Sequence, residues 1–253
     1  MTMSSSSPRT VLVTGAGGGM AAGINARLAA AGHRVLCADV SGEGSERAAQ
    51  AVRDAGGRAD AFTVDVGDSS SVRALREEVA RAAVDVDVLV NAAGILDRKF
   101  LVDHDDSSFE RTIAVNLVGP FRMIQAFSPG MISRGWGRII NISSIAGVTG
   151  YAYPSYAASK AGLSNLTRSL VIDLWGTGVT VNSICPGVVD TPMVIDAVRE
   201  QIPRKVPTEE IIDPAEIGAL AAFLISDEAC NINGANLVID GGATSYFQLF
   251  DRP

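Results

Sequence analysis

The sequence predicts an α/β fold in a single domain, a doubly wound, seven-stranded parallel sheet with helices on both faces. Three observations predict it. Apolar runs of strand length alternate with Ala-rich helical stretches along nearly the whole chain. The runs are dense in Val, Ile and Leu without polar alternation, as expected of strands buried on both faces. No internal repeat and no Pro/Gly/Ser linker divides the 253 residues, of which 47% are hydrophobic and 19% charged, so one sizeable core is expected.

Residues 1–8 are polar, serine-rich and without an apolar core, so they read as a flexible tail and not as a secretory signal. The first strand is VLVTG (11–15), followed by a glycine-rich turn and the helical stretch GINARLAAAG (23–32). RVLCADV (34–40) and ADAFTVDV (59–66) are the next two strands, with GSERAAQAVRDAG (44–56) as the helix between them. SSSVRALREEVARAA (69–83) is a third helix, leading into the strand VDVLVNAAG (86–94). GRIINISS (137–144), VTVNSICPG (179–187) and ANLVIDGG (235–242) complete the seven strands. The domain spans 9–242, with 193–211 expected to form a mobile lid. In the tail 243–253, Tyr246, Phe247, Leu249 and Phe250 are too apolar to be left in water, and the tail is expected to dock on a neighbouring subunit.

A net charge of −7 with no run of like charges argues against a nucleic-acid partner and for a small molecule. No apolar stretch reaches the roughly 18 residues of a spanning helix, so no membrane partner is expected. Cys37, Cys185 and Cys230 are odd in number and far apart, which reads as buried small hydrophobes in a reducing, cytoplasmic setting. His33 and His104 belong to no cluster with ligand spacing; they read as surface residues, and no metal is expected.

The turn TGAGGGMAAG (14–23) holds five of the chain's 26 glycines in ten residues, where about one is expected. Between a first strand and a first helix, such a turn lies beneath a dinucleotide pyrophosphate, where backbone N–H groups face the anion and side chains would obstruct it. A tight structural turn would also use glycine. The nucleotide reading requires in addition a carboxylate at the end of the second strand to hold ribose hydroxyls, and Asp39 stands there. Asp39 would oppose a 2′-phosphate by about 4 kcal/mol at ~4 Å before screening. No Arg or Lys lies at 14–23 or 40–43 to offset it, so the expected cofactor is NAD.

PSYAASKAG (154–162) carries Tyr156 and Lys160 four residues apart, on one face of a helix that Pro154 and Ser155 are suited to begin. With four Tyr and three Lys in 253 residues, chance supplies 4 × 3/253, about 0.05, such pairs. A phenol titrates near pH 10, and lowering it by about three units to serve as a base costs about 4 kcal/mol. A neighbouring ammonium and a cationic nicotinamide can supply that.

These motifs together resemble the short-chain dehydrogenases/reductases, from about Arg9 to Gly242. The family's T-G-x-x-x-G-x-G pattern is matched by Thr14, Gly15 and Gly19, but its last glycine falls on Ala21, where a methyl is expected to be tolerated. The resemblance implies a Rossmann-type fold and a cofactor held by Gly15, Gly18, Gly19, Met20, Asp39, Asp65, Val66, Asn91, Ala93, Gly94, Tyr156, Lys160, Pro186, Gly187, Val189 and Thr191. It implies a catalytic set of Asn116, Ser144, Tyr156 and Lys160, with Ser143 the other candidate because the interval to Tyr156 is one residue short. The implied reaction is reversible hydride transfer between a nicotinamide and a secondary alcohol or ketone. The alternatives are a carrier- or CoA-linked 3-oxoacyl reductase and a non-catalytic NAD sensor. The resemblance further implies a homotetramer paired through helices near 107–133 and 155–175. The substrate pocket is expected from Ile95–Phe100, Ala146–Tyr153 and 193–211, partly apolar and suited to a cyclic or medium-sized alcohol.

Overall fold

The computed structural model describes residues 7–246. Residues 1–6 of the N-terminal tail and 247–253 of the C-terminal tail, including Phe247, Leu249 and Phe250, lie outside the described residues. Seven parallel strands form one sheet, in the order β3-β2-β1-β4-β5-β6-β7. They are β1 (Thr10–Thr14), β2 (Arg34–Asp39), β3 (Arg58–Thr63), β4 (Val88–Asn91), β5 (Gly137–Ile142), β6 (Val179–Pro186) and β7 (Asn236–Ile239). All seven coincide with the strands read from the sequence.

The pleat divides each apolar run between two cores. Val11 and Val13 of β1, Val35 and Cys37 of β2, and Ile140 and Ile142 of β5 face one core. Leu12, Leu36 and Ile139 face the other. The first core is covered by α1 (Gly19–Ala30), α2 (Gly42–Asp54) and, late in the chain, α9 (Pro214–Ile225), through Ile24, Leu28, Val52, Ile217 and Leu224. The second is covered by α3 (Ser69–Arg81), α5 (Gly119–Arg134) and α6 (Pro154–Asp173), through Leu75, Val79, Met123, Phe127 and Leu170. α4 (Asp106–Ile113) joins α5 through a π-helical turn, Ala114–Val118. The segment 193–211 holds two short helices, α7 (Asp196–Arg199) and α8 (Ile202–Lys205).

The first helix begins at Gly19, four residues before the stretch read as helical. Glycine there does not break the helix, because the first-turn N–H groups need no intrahelical acceptor. Gly23, inside α1, is where the helix is pressed against α9. A Cβ on Gly23 would stand 2.3 Å from the Pro214 carbonyl carbon, and one on Gly218 would stand 2.6 Å from the Gly23 oxygen. Both obstacles are backbone and cannot rotate away. Gly23→Ala is therefore expected to cost about 3 kcal/mol by forcing the helices apart. Urea unfolding measures this, and a loss below about 1 kcal/mol would show that the contact yields easily.

Candidate active site

The chain reverses its order of strand addition between β1 and β4, and a cleft of about 670 Å3 opens there at the strands' C-terminal ends. Gly15 turns the chain out of β1 with φ of 65°, and a Cβ on it would stand 2.7 Å from Ala93 Cα. Only glycine allows the turns after β1 and β4 to approach this closely. Gly15, Gly18, Gly19 and Met20 all line the cleft. Gly18 caps α1 without a side-chain bond, which leaves first-turn N–H groups for an anion. A Cβ on Gly19 would fill the gap to Pro192 at 2.8 Å, so the space above this turn exists because side chains are missing.

Ala21, where the glycine pattern lapses, is 2% exposed and packs into the first core, confirming that a methyl fits. The close approach between α1 and α9 lies at Gly23.

Asp39 lines the cleft at the end of β2. Its Oδ2 accepts from Gly17 N at 3.0 Å and its Oδ1 from Ser41 N at 2.9 Å, which fixes the carboxylate in place. Further along, Val40, Val64, Val66 and Val115 make an apolar slot beside Asp65, whose Oδ1 accepts from Gly67 N at 2.8 Å. Arg111 also lines this end, 3.5 Å from Asp65 Oδ2. Sequence reasoning missed Arg111, because only the packing of α4 against α6 and the π-helical turn brings it to the cleft.

The turn after β4 presents Ala92, Ala93 and Gly94 to the cleft, pinned by Thr14 Oγ1, which accepts from both Ala92 N and Ala93 N at 3.2 Å. The Asn91 side chain does not join them. It turns into the interior, where Nδ2 donates to Asn141 Oδ1 at 2.8 Å, and Asn141 Nδ2 in turn donates to Thr167 at 3.0 Å. Pro186 ends β6 and Gly187 follows it, while Val189 is buried and bridges to Ile212. From that segment Thr191, Pro192 and Met193 line the cleft.

At the other end of the cleft, α6 brings Tyr156 and Lys160 to one face. The helix starts at Pro154 after Tyr153, which holds φ of 66°; Ser155 does not cap it, and its Oγ is buried without a partner among the described residues. Lys160 Nζ donates to the Ile142 carbonyl at 2.7 Å and lies 5.8 Å from the centre of the Tyr156 ring. Burial pushes the Lys160 ammonium down to about 8. Burial also raises the Tyr156 phenol above its ordinary value, while a hydrogen bond with Ser144 draws it back. Ser144 Oγ also accepts from Ala146 N at 3.1 Å. The Ser143 hydroxyl is taken up by the Lys160 carbonyl at 3.0 Å and Ser164 Oγ at 2.7 Å, so the phenol's neighbour is Ser144.

Asn116 is fully buried in the π-helical turn. Its Oδ1 accepts from Ile95 N at 2.8 Å and its Nδ2 donates to Ile95 O at 2.9 Å and Ser159 Oγ at 3.1 Å. This two-way clamp fixes the loop beyond β4 against α6. Phe100, Tyr151 and Tyr153 form an aromatic wall beside the phenol, with ring centres of Tyr151 and Tyr156 6.3 Å apart. Arg98 donates to the Met193 carbonyl at 2.7 Å, tying this wall to 193–211.

Three readings of isolated residues are corrected. His33 is buried, its Nδ1 accepting from Arg9 N at 3.2 Å, and the His104 side chain is 9% exposed with its ring edge on Phe109. Cys37 and Cys185 are buried, but Cys230 is exposed. Among the described residues no three His, Cys, Asp or Glu side chains gather as a metal site, and no helix is long and apolar enough to cross a membrane.

A family model described as enoyl-(acyl carrier protein) reductase matches residues 15–244. Cis-4-hydroxycyclohexanecarboxylate dehydrogenase of Sinomonas cyclohexanicum is 39% identical, over 94% of this chain and 97% of its own. Acetoacetyl-CoA reductase of Allochromatium vinosum is 37% identical, over 92% and 98%. The crystal structure of a gluconate 5-dehydrogenase from Burkholderia cenocepacia J2315, in complex with NADP and tartrate, superposes with a TM-score of 0.89. It is 31% identical, over 94% of this chain and 96% of that one.

Proposed function

The chain belongs to the short-chain dehydrogenase/reductase family of oxidoreductases, and from that premise we propose that it moves hydride reversibly between NAD and a secondary alcohol or ketone. One observation carries the reading. Tyr156, with Ser144 beside it and one helical turn from Lys160, opens into the same cleft that the glycine turn and Asp39 line.

The cleft suits a dinucleotide at each step. The side-chain-free turn and the open N-terminus of α1 would hold the pyrophosphate, Asp39 the adenosine ribose, and the slot beside Asp65 and Val66 the adenine. Gly94, Thr191 and Lys160 border the nicotinamide end. When bound, the nicotinamide supplies the hydride acceptor or donor. The protein's residues handle the proton. In oxidation Tyr156 Oη takes the proton of the alcohol, and Ser144 Oγ donates to the substrate oxygen and keeps it within reach of the phenol. The Lys160 ammonium stabilises the phenolate that forms. Asn116 positions the loop beyond β4 and, through Ser159, the helix that carries Tyr156. The aromatic wall of Phe100, Tyr151 and Tyr153 favours a cyclic or medium-sized substrate with an apolar face. The two buried free thiols suit a reducing cytoplasm, and the family resemblance supports a homotetramer.

NADH formation with secondary alcohols, polyols, hydroxysteroids and β-hydroxyacyl thioesters tests the reading. Turnover on a cyclic or medium-sized alcohol supports it. Turnover on the thioesters alone would favour an acyl reductase, the reading to which the acetoacetyl-CoA reductase relative lends weight. Tight NAD binding with no turnover would favour a sensor.

Asp39 sets the nucleotide choice in this reading. Repulsion of a 2′-phosphate should give NAD at least about a hundredfold advantage over NADP in kcat/KM, and Asp39→Asn should narrow it at least about tenfold. Equal use of both nucleotides by the unaltered protein would overturn the NAD assignment.

A further inference from the structure

The sheet's opposite end holds a second cavity, of about 530 Å3, where β5 and β6 begin. Arg138 of β5 and Thr180 of β6 are paired in register, and both line it. They are 4% and 8% exposed. Arg138 Nη1 donates to the carbonyls of Gly137 at 2.9 Å and Gly178 at 3.5 Å, but Arg138 Nε and Thr180 Oγ1 are buried without a partner among the described residues. Among the described residues no carboxylate comes within ion-pair distance of Arg138, and Asp227 stands exposed at the rim. A guanidinium taken out of water with a donor unmade and no ion-pair partner is held at a cost, eased in part by its 4.5 Å approach to the Trp136 ring. Burial accordingly pushes its pKa below the ordinary value. The remaining wall sets apolar Trp136, Val171, Leu174 and the outlying Trp175 beside polar Asn233 and Asp227.

We propose that this cavity binds a small organic carboxylate, whose oxygens accept from Arg138 Nε and Thr180 Oγ1 while its apolar body rests against Leu174 and Trp175. Two adjacent unmade donors on one sheet face match the two oxygens of a planar monoanion. A single cation among the described lining residues and a rim carboxylate at Asp227 disfavour a doubly charged phosphate.

The chain's only two tryptophans both line this cavity and neither lines the nucleotide cleft, so tryptophan emission of the full chain reads the site directly. The emission should change saturably with cyclohexanecarboxylate, and at least about tenfold more weakly with cyclohexanecarboxamide or inorganic phosphate. Arg138→Met should weaken carboxylate binding at least about tenfold, and the near-isosteric Thr180→Val about threefold. Thr180→Val keeps the test decisive if Arg138→Met does not fold. No saturable change with the carboxylate, equal binding of the amide or of phosphate, or an unchanged affinity in Thr180→Val would overturn the proposal.

Discussion

Tyr156→Phe is expected to lower alcohol oxidation about a thousandfold while leaving NAD affinity within about threefold of the parent. The substitution removes one oxygen and keeps the ring, so the contact with Tyr151 and the packing of α6 persist. What disappears is the hydroxyl that, in the proposed reaction, exchanges a proton with the substrate oxygen. Ser144 cannot replace it. A serine hydroxyl is far too weak an acid and base near neutrality, and the Lys160 ammonium is turned toward the Ile142 carbonyl. Because burial holds the phenol up and the Ser144 bond draws it down, Ser144→Ala should also move the acid limb of the pH–rate profile to higher pH. Steady-state kinetics across pH measure both. A Tyr156→Phe protein within about tenfold of the parent rate would assign the proton transfer to another residue.

The sequence carried the strands and the order of the site motifs, because a parallel sheet buried on both faces writes its strands as unbroken apolar runs. Tyr156 and Lys160 were legible for a related reason: a four-residue interval fixes a shared helical face whatever surrounds it. Less legible was the direction in which a side chain turns at the end of a strand. Asn91 sits at the cleft-side end of β4, yet its amide reaches inward to Asn141, a partner 50 residues away. Ser143 and Ser144 are neighbours of the same type, separated only by what each meets: Lys160 O and Ser164 for one, the phenol for the other. The lapse of the glycine pattern at Ala21 was visible, but its consequence depended on α9, nearly 200 residues later, which presses on Gly23. The burial of His33 was hidden likewise, since its acceptor role is toward Arg9 on the adjoining strand's approach.

Lys160→Met is expected to abolish useful turnover and yet to stabilise the protein without nucleotide below pH 8. The ammonium has no carboxylate partner among the described residues, and desolvation lowers it from 10.5 to about 8. Between those two values the unfolded chain holds a proton that the folded protein lacks, so this group's contribution to stability rises with pH across the window. Below pH 8 both states are protonated, and the full penalty, about 3 kcal/mol for ~2.5 pH units, weighs on the fold. Methionine removes that penalty, but leaves the Ile142 carbonyl without its 2.7 Å donor at a cost of about 1 kcal/mol. The net gain is therefore about 2 kcal/mol at pH 7, shrinking as pH rises and reversing sign toward pH 10.5. Urea unfolding of both proteins from pH 6 to pH 10 reads this directly. Destabilisation by Lys160→Met at pH 7, or a difference independent of pH, would mean that the buried ammonium is compensated in the fold. A stabilised but inactive variant would place the strain of holding Lys160 dry on the side of catalysis, where the charge is needed beside the phenol.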